Sequence, residues 1–279
     1  AVVAGNALSA AAEGLWALVA MRMFTGAGSG IVVALTFVGL CHSANPERYF
    51  GLYVFAQLLL QAALMWAFPA AIAATGIWLV YAALAGGTAI SAMLVPYFPR
   101  DAADAGIVAA VMQPPPQARR AGATGLAAQA AYFVAAGAAW SYLEPIGGNF
   151  GLDAAAVGRT LSGSAIAGMA GALLVIALAS RLGRQHGLAA GTLASIAAVA
   201  LLTGTGPSLQ FVAAAALFTL AWNFTFPWQM GLLAQSDQSG GIAVASLVVQ
   251  LFALAAGPLL AAAALPVAGH TGILWGGAA

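Results

Sequence analysis

A chain of 279 residues in which 5% are Asp, Glu, Lys or Arg and 63% are hydrophobic cannot coat a water-facing surface, since an ordinary soluble domain is about one quarter charged. Its solvent is lipid, which accepts Leu, Ala, Val and Phe on the outside. The net charge of +1 excludes a basic field for nucleic acid, and the single cysteine, Cys41, excludes an internal disulfide and a cysteine-based metal cluster.

Crossing the hydrocarbon core takes roughly 20 apolar residues in a helix. Such runs predict ten segments in chain order: a partial one at 1–12, then 15–41, 50–72, 75–97, 123–145, 157–180, 187–204, 208–233 and 240–263, and a partial one at 272–279. They are long and rich in Ala, Leu and Gly, unlike the short alternating segments of a membrane barrel. The predicted fold class is therefore an all-α polytopic membrane bundle. The chain opens and closes inside apolar runs, without an initiator Met or a charged leader, so the expectation is a piece of a longer protein and no signal peptide.

Most connections are short. The exception, residues 99–122, holds Asp101, Asp104, Pro114, Pro115, Pro116, Arg119 and Arg120. A triple proline does not continue a helix and favours an extended spacer. This linker separates an N-terminal bundle, 1–98, of four segments from a C-terminal bundle, 123–279, of six. If the bundles match, the parent has twelve helices in two halves and this chain covers helices three to twelve. The loops at 42–49, 98–122, 181–186 and 234–239 carry Arg48, Arg100, Arg119, Arg120, Arg181 and Arg184, six of the eight arginines, whereas the alternate loops carry none. The positive-inside rule then places the linker in the cytoplasm and the chain, multi-pass, in the inner membrane.

The stretch Arg22-Met-Phe-Thr-Gly26-Ala-Gly28-Ser-Gly30 resembles a motif of the major facilitator superfamily, in which the fourth helix carries an arginine followed four residues later by glycine. Here it lies in the second segment, the fourth helix of the inferred parent. Ala44-Asn45-Pro46-Glu47-Arg48, followed by Gly51-Leu52-Tyr53, is similar to the family's Pro-Glu-Arg loop between helices four and five. Ser180-Arg181-Leu182-Gly183-Arg184 is similar to its cytoplasmic Asp-Arg-x-Gly-Arg motif, with Ser180 in place of the acid. The resemblance implies two pseudo-symmetric bundles that rock about a central site, and a secondary active transporter, symporter or antiporter, with proton coupling as the family default. Gly26, Gly30, Glu47, Arg48, Arg181, Gly183 and Arg184 are its motif residues in this sequence. The Gly-Pro-rich fifth helix of the family's drug/proton antiporters has no counterpart in 50–72.

Arg22 lies about seven residues into its helix, roughly 10 Å deep, where a guanidinium needs a cavity or a partner such as an acid on a missing helix; snorkelling to the interface is the alternative. The resemblance makes segments 15–41, 123–145 and 208–233 cavity-lining. Gln129, Tyr132, Phe133, Trp140 and Glu144 fall on the second of these, and Gln129, Phe133, Trp140 and Glu144 share a helical face. Trp222, Asn223, Phe226, Pro227, Trp228 and Gln229 fall on the third, where Pro227 removes the hydrogen bond to the carbonyl of Asn223. Trp140 and Trp228 also suit a membrane-interface belt. Arg22, Gln129, Tyr132, Trp140, Glu144, Trp222, Asn223 and Phe226 are thus the candidate binding or coupling residues. Gln57 and Gln61 share a face and suit helix–helix hydrogen bonding. Gly26, Gly28, Gly30, Gly163, Ala167 and Gly171 suit close helix packing.

No metal-ligand spacing, nucleophile elbow or phosphate loop occurs, so no catalytic residue, metal or cofactor is expected. The expected partners are lipid, a small organic solute and protons, and the expected state is a monomer. A ten-helix transporter of another fold, of the drug/metabolite type, is the first rival reading. A non-transporting membrane enzyme or scaffold is the second.

Overall fold

The computed structural model describes residues 1–12, 14–93, 116–236 and 241–278. The described residues form ten helices and no strand: α1 (Val2–Ala10), α2 (Leu15–Cys41), α3 (Pro46–Thr75), α4 (Trp78–Ala92), α5 (Pro116–Ser141), α6 (Leu143–Gly148), α7 (Ala154–Leu178), α8 (Arg184–Leu201), α9 (Ser208–Ser236) and α10 (Gly241–Ala278). Four are long and apolar enough to cross a membrane: α2, α7, α9 and the stretch Gly241–Val267 of α10. Trp16, Ile31, Ile166, Phe252 and Leu259 are each at least 64% exposed on outward faces. Apolar surface of that extent fits a bilayer, not water.

Helix ends follow local chemistry. Asn45 caps α3, its side chain accepting from the Arg48 amide at 3.2 Å, with Pro46 in the first turn and Glu47 near the positive end of the helix dipole. Asp153 caps α7 through the Ala156 amide at 2.6 Å. Gly76, with φ 87°, ends α3 in a conformation that L side chains rarely adopt. The last helix is likewise two, broken at Gly269 (φ 62°, ψ −178°), inside the turn expected at 264–271.

Two boundaries differ from the sequence reading. α5 begins at Pro116, not 123, so residues 116–122 of the expected linker are helical. Proline is suited to a first helical turn, where its missing N–H costs nothing. Residues 99–115 of that linker lie outside the described residues. At the other end α5 stops at Ser141, and Glu144 sits on the separate helix α6. Pro145 supplies the reason: it has no N–H for the Ser141 carbonyl, and its ring crowds that carbonyl.

α9 is the hub, packed against α3, α5, α7 and α8, and every residue from Phe224 to Gly231 is buried. α5 runs along α10, α3 packs on α7, and α1 sits between α2 and α4. Glycines set the closest approaches. A Cβ on Gly137 of α5 would stand 2.8 Å from the Leu254 carbonyl oxygen, and one on Gly257 of α10 would stand 2.7 Å from the Ala138 amide nitrogen. Gly168 and Gly171 of α7 do the same against Asn223 and the Leu220 backbone of α9. Gly163, expected to pack with Gly171, meets nothing within 4 Å among the described residues, and Gly168 takes that place farther along the helix. Gly28 approaches Ala1 and Val2, whereas Gly26 and Gly30 meet nothing within 4 Å among the described residues.

Candidate functional site

The loop before α3 and the loop before α8 meet. Arg184 donates from Nε to Oε1 of Glu47, joining residues 137 apart in sequence. Glu47 is 2% exposed, and the Arg184 side chain is 29% exposed. Desolvation draws the Arg184 guanidinium below its ordinary pKa, and Glu47 is its counter-charge. A Cβ on Gly231 of α9 would stand 2.6 Å from Cδ of Glu47, so this glycine makes room for the carboxylate. A space of about 640 Å³ adjoins the pair, lined by Asn45, Arg181, Gly183, His186 and Gln235 among others. Arg48 and Arg181 stand exposed at this end, and Gly183 caps α8 in extended geometry. The motif residues Glu47, Arg48, Arg181, Gly183 and Arg184 therefore lie together.

Farther along the helices from this pair lies a block of aromatic rings. Phe37 of α2 contacts Phe50 and Tyr53 of α3 at centroid distances of 5.1 and 5.5 Å. Phe226 of α9 reaches Phe37 and Phe50 at 6.3 Å each and Phe133 of α5 at 6.2 Å. Most of these pairs are edge-to-face, the geometry the ring quadrupoles favour. The rings fill the junction between α2 and α3 on one side and α5 and α9 on the other. Trp222 continues the series, 6.0 Å from Phe133 and 6.3 Å from Trp140, which stacks on Phe218. Trp140 is 43% exposed at the far end.

A cavity of about 670 Å³ lies between α5, α8, α9 and α10. Gln129, Tyr132, Thr192, Ser195 and Gln229 are its polar lining, among Ala, Leu, Ile, Val and Gly. The Tyr132 and Ser195 hydroxyls are 3.1 Å apart. Gln129 donates to the Met230 sulfur at 3.8 Å, a weak acceptor. Among the described residues the amide oxygens of Gln129 and Gln229 find no hydrogen-bond partner, nor does the indole nitrogen of Trp228.

Arg22 lies elsewhere. Its Nη1 donates to Oδ1 of Asn6 on α1 at 2.8 Å, and its guanidinium carbon sits 5.6 Å from the centre of the Tyr81 ring on α4. Both partners are neutral, and Asn6 is 4% exposed. One charge thus ties three helices together.

The eight candidate binding residues divide among these places. Gln129 and Tyr132 line the cavity; Trp140, Trp222 and Phe226 belong to the ring series; Arg22 is in the α1–α2–α4 cluster. Asn223 turns toward α7, donating to the Thr219 carbonyl at 2.8 Å and facing Gly168, so it does not share a wall with Trp222. Glu144 is exposed on α6, apart from the face of Gln129. Trp228 is fully buried between α7, α8 and α9, a packing residue and not a belt anchor. Gln57 and Gln61 are exposed, not buried between described helices. The sequence reading missed Asn6, Tyr81, Thr192 and Ser195. Single polar residues in Ala/Leu-rich helices carry no pattern, although Thr192, Ser195 and Val199 do share a helical face.

No family model matches the chain, and no curated protein matches it in sequence.

Proposed function

We propose that the chain is part of a secondary transporter of the major facilitator type, which moves a small organic solute by alternating access between two sets of helices. The observation that carries this reading is the Glu47–Arg184 pair, which joins the loop before α3 to the loop before α8 at one end of the bundle. A buried ion pair between two packed bodies is a device with two settings, made or broken, as alternating access requires. The aromatic block between α2, α3, α5 and α9 supports it by closing the junction just beyond the pair.

In this reading the arginine-rich end is cytoplasmic, helices α1–α4 belong to one half and α5–α10 to the other, and the arrangement described is closed toward the cytoplasm. The solute is uncharged and amphipathic or weakly anionic. Arg22, whose partners among the described residues, Asn6 and Tyr81, are neutral, is the group in this reading that attracts an anion. Coupling to protons falls to groups other than Glu144, which is exposed beyond the end of α5.

Proteoliposomes holding the full-length protein test this. Uptake above protein-free vesicles is expected for at least one member of a panel of uncharged and weakly acidic solutes. Arg22→Ala is expected to lower it about tenfold or more, the equivalent of one lost charge-assisted bond. No uptake across the panel, with and without a proton gradient, would sink the transporter reading. Unchanged uptake in Arg22→Ala would remove only Arg22 from the mechanism.

A further inference from the structure

We infer that Gly231 is a positioning residue for the closure: the Glu47 carboxylate reaches Arg184 only while it rests on the bare backbone of α9 at this glycine. The inference rests on the reading of the Glu47–Arg184 pair as a closure, and it names the residue of α9 that governs it.

Glycine inside a helix is disfavoured relative to alanine, so its place in the buried stretch of α9 needs a cause. Gly137, Gly171 and Gly257 have theirs in the backbone of a facing helix. At Gly231 the cause is a side chain. Among the described residues, the three atoms nearest to a Cβ built there all belong to Glu47: Oε1, then Cγ at 2.5 Å and Cδ at 2.6 Å. Oε1 is also the atom that accepts from Nε of Arg184. One oxygen is thus held between the backbone of α9 and the guanidinium of α8.

Which part gives way when that seat is filled follows from what holds each one. α9 is pinned on several sides. Its residues from Phe224 to Gly231 are buried, and the sulfur of Met230, beside the seat, accepts from the Ser246 hydroxyl of α10 at 3.4 Å and from the Gln129 amide of α5 at 3.8 Å. α3 is pinned too: Phe50, one turn on from Glu47, is fully buried and meets Phe226 of α9 at a centroid distance of 6.3 Å. The Glu47 side chain is the yielding part, since it moves between rotamers about single bonds. What it loses on turning is Arg184. A methyl group at 231 is therefore a wedge that leaves both charges in the chain and parts them. The helix that presents Phe226 to the ring junction also decides, one turn and a half later, whether the pair is made.

The test reads Cys41, half-buried beside Phe37 and Phe50, in the full-length protein in nanodiscs without solute. Its rate of labelling by a water-soluble maleimide is followed on its own peptide by mass spectrometry. Gly231→Ala is expected to raise that rate about tenfold. Glu47→Ala removes the pair and the obstacle together and is expected to reach a similar rate. The double variant is expected to stay within about twofold of Glu47→Ala alone, because the new methyl then meets no carboxylate. A rate unchanged in Gly231→Ala but raised in Arg184→Met would overturn the seat and leave the closure standing. A rate unchanged in Arg184→Met as well would overturn both. A further rise of about tenfold on adding Gly231→Ala to Glu47→Ala would also overturn the seat, since packing unrelated to Glu47 would then confine the glycine. Should Gly231→Ala fail to fold, the double variant decides: a folded double variant supports the seat, and one that fails as well overturns it. No arm needs a transported solute, so an absence of uptake across the panel sinks the transporter reading without touching the seat.

Discussion

Arg184→Met is expected to lower the stability of the chain by about 3–5 kcal/mol and to open the arginine-rich end, whereas Glu47→Gln costs only about 1–2 kcal/mol. The asymmetry comes from where each partner sits. Glu47 is 2% exposed beneath α9, so without Arg184 it is a buried carboxylate with no counter-charge. It must then take up a proton or draw water into the junction. Arg184 is 29% exposed, so without Glu47 it swings toward solvent and recovers hydration. The double variant should recover part of the loss seen in Arg184→Met, since no buried charge is then left alone.

Cys41, the chain's single cysteine, reports the same event. It ends α2 and is half-buried beside the cluster of Phe37, Phe50 and Phe226. Its labelling by a water-soluble maleimide should rise about tenfold in Arg184→Met, as expected if roughly 1.4 kcal/mol of the lost stability goes into local opening. Equal stability costs in the two single variants, with no change at Cys41, would mean that the pair is a surface contact and not a closure.

That both partners were singled out, each by itself, rests on two loops that stood out in the sequence. Asn45-Pro46-Glu47-Arg48 and Arg181-Leu182-Gly183-Arg184 are polar islands in an apolar chain, and each begins a helix. Their contact was not legible, because a one-dimensional pattern carries no information about which loops 137 residues apart come together. The helices were legible for a simpler reason. Lipid-exposed segments must satisfy every backbone group internally, so long apolar runs have one available structure. The run at 15–41 became α2 with the same ends. Helix ends were less legible where proline was read only as a breaker, as at Pro116, which starts α5.

The site was half legible. Gln129 and Tyr132 were identified as polar residues on an apolar helix, and both line the cavity. Glu144 was placed with them by spacing, but Pro145 ends the helical register before the carboxyl is reached. Trp222 and Asn223 were grouped by adjacency, yet consecutive helical residues point about 100° apart, so one joins the rings and the other meets α7. Arg22 was recognised as a costly charge, but its partners Asn6 and Tyr81 are on other helices, and neither has a signature of its own.

Glycine gives the sharpest contrast between pattern and packing. Gly257→Val is expected to destabilise the chain by about 3 kcal/mol or more, at the upper end of what overpacking costs. The side chain would enter the seam between α5 and α10, where the three nearest atoms are backbone: the Val134 carbonyl oxygen, then the Ala138 amide nitrogen at 2.7 Å and the Gly137 carbonyl carbon at 3.1 Å from the new Cβ. Backbone in a helix does not rotate aside as a side-chain tip does, so the helices must separate. Gly137 on the facing helix is just as confined, 2.8 Å from the Leu254 oxygen, so the two glycines form one close contact. Separation there also widens the cavity lined by Gly257 and Ala261. Gly26→Ala and Gly30→Ala should behave oppositely. Nothing among the described residues lies within 4 Å of a Cβ at either, so replacing glycine within α2 relieves chain entropy and gains about 0.5–1 kcal/mol each. Unfolding of the three variants by graded denaturing detergent separates these cases. A small loss in Gly257→Val would show that α5 and α10 are free to slide apart. A loss in Gly26→Ala as large as that in Gly257→Val would place a further helix against that face of α2.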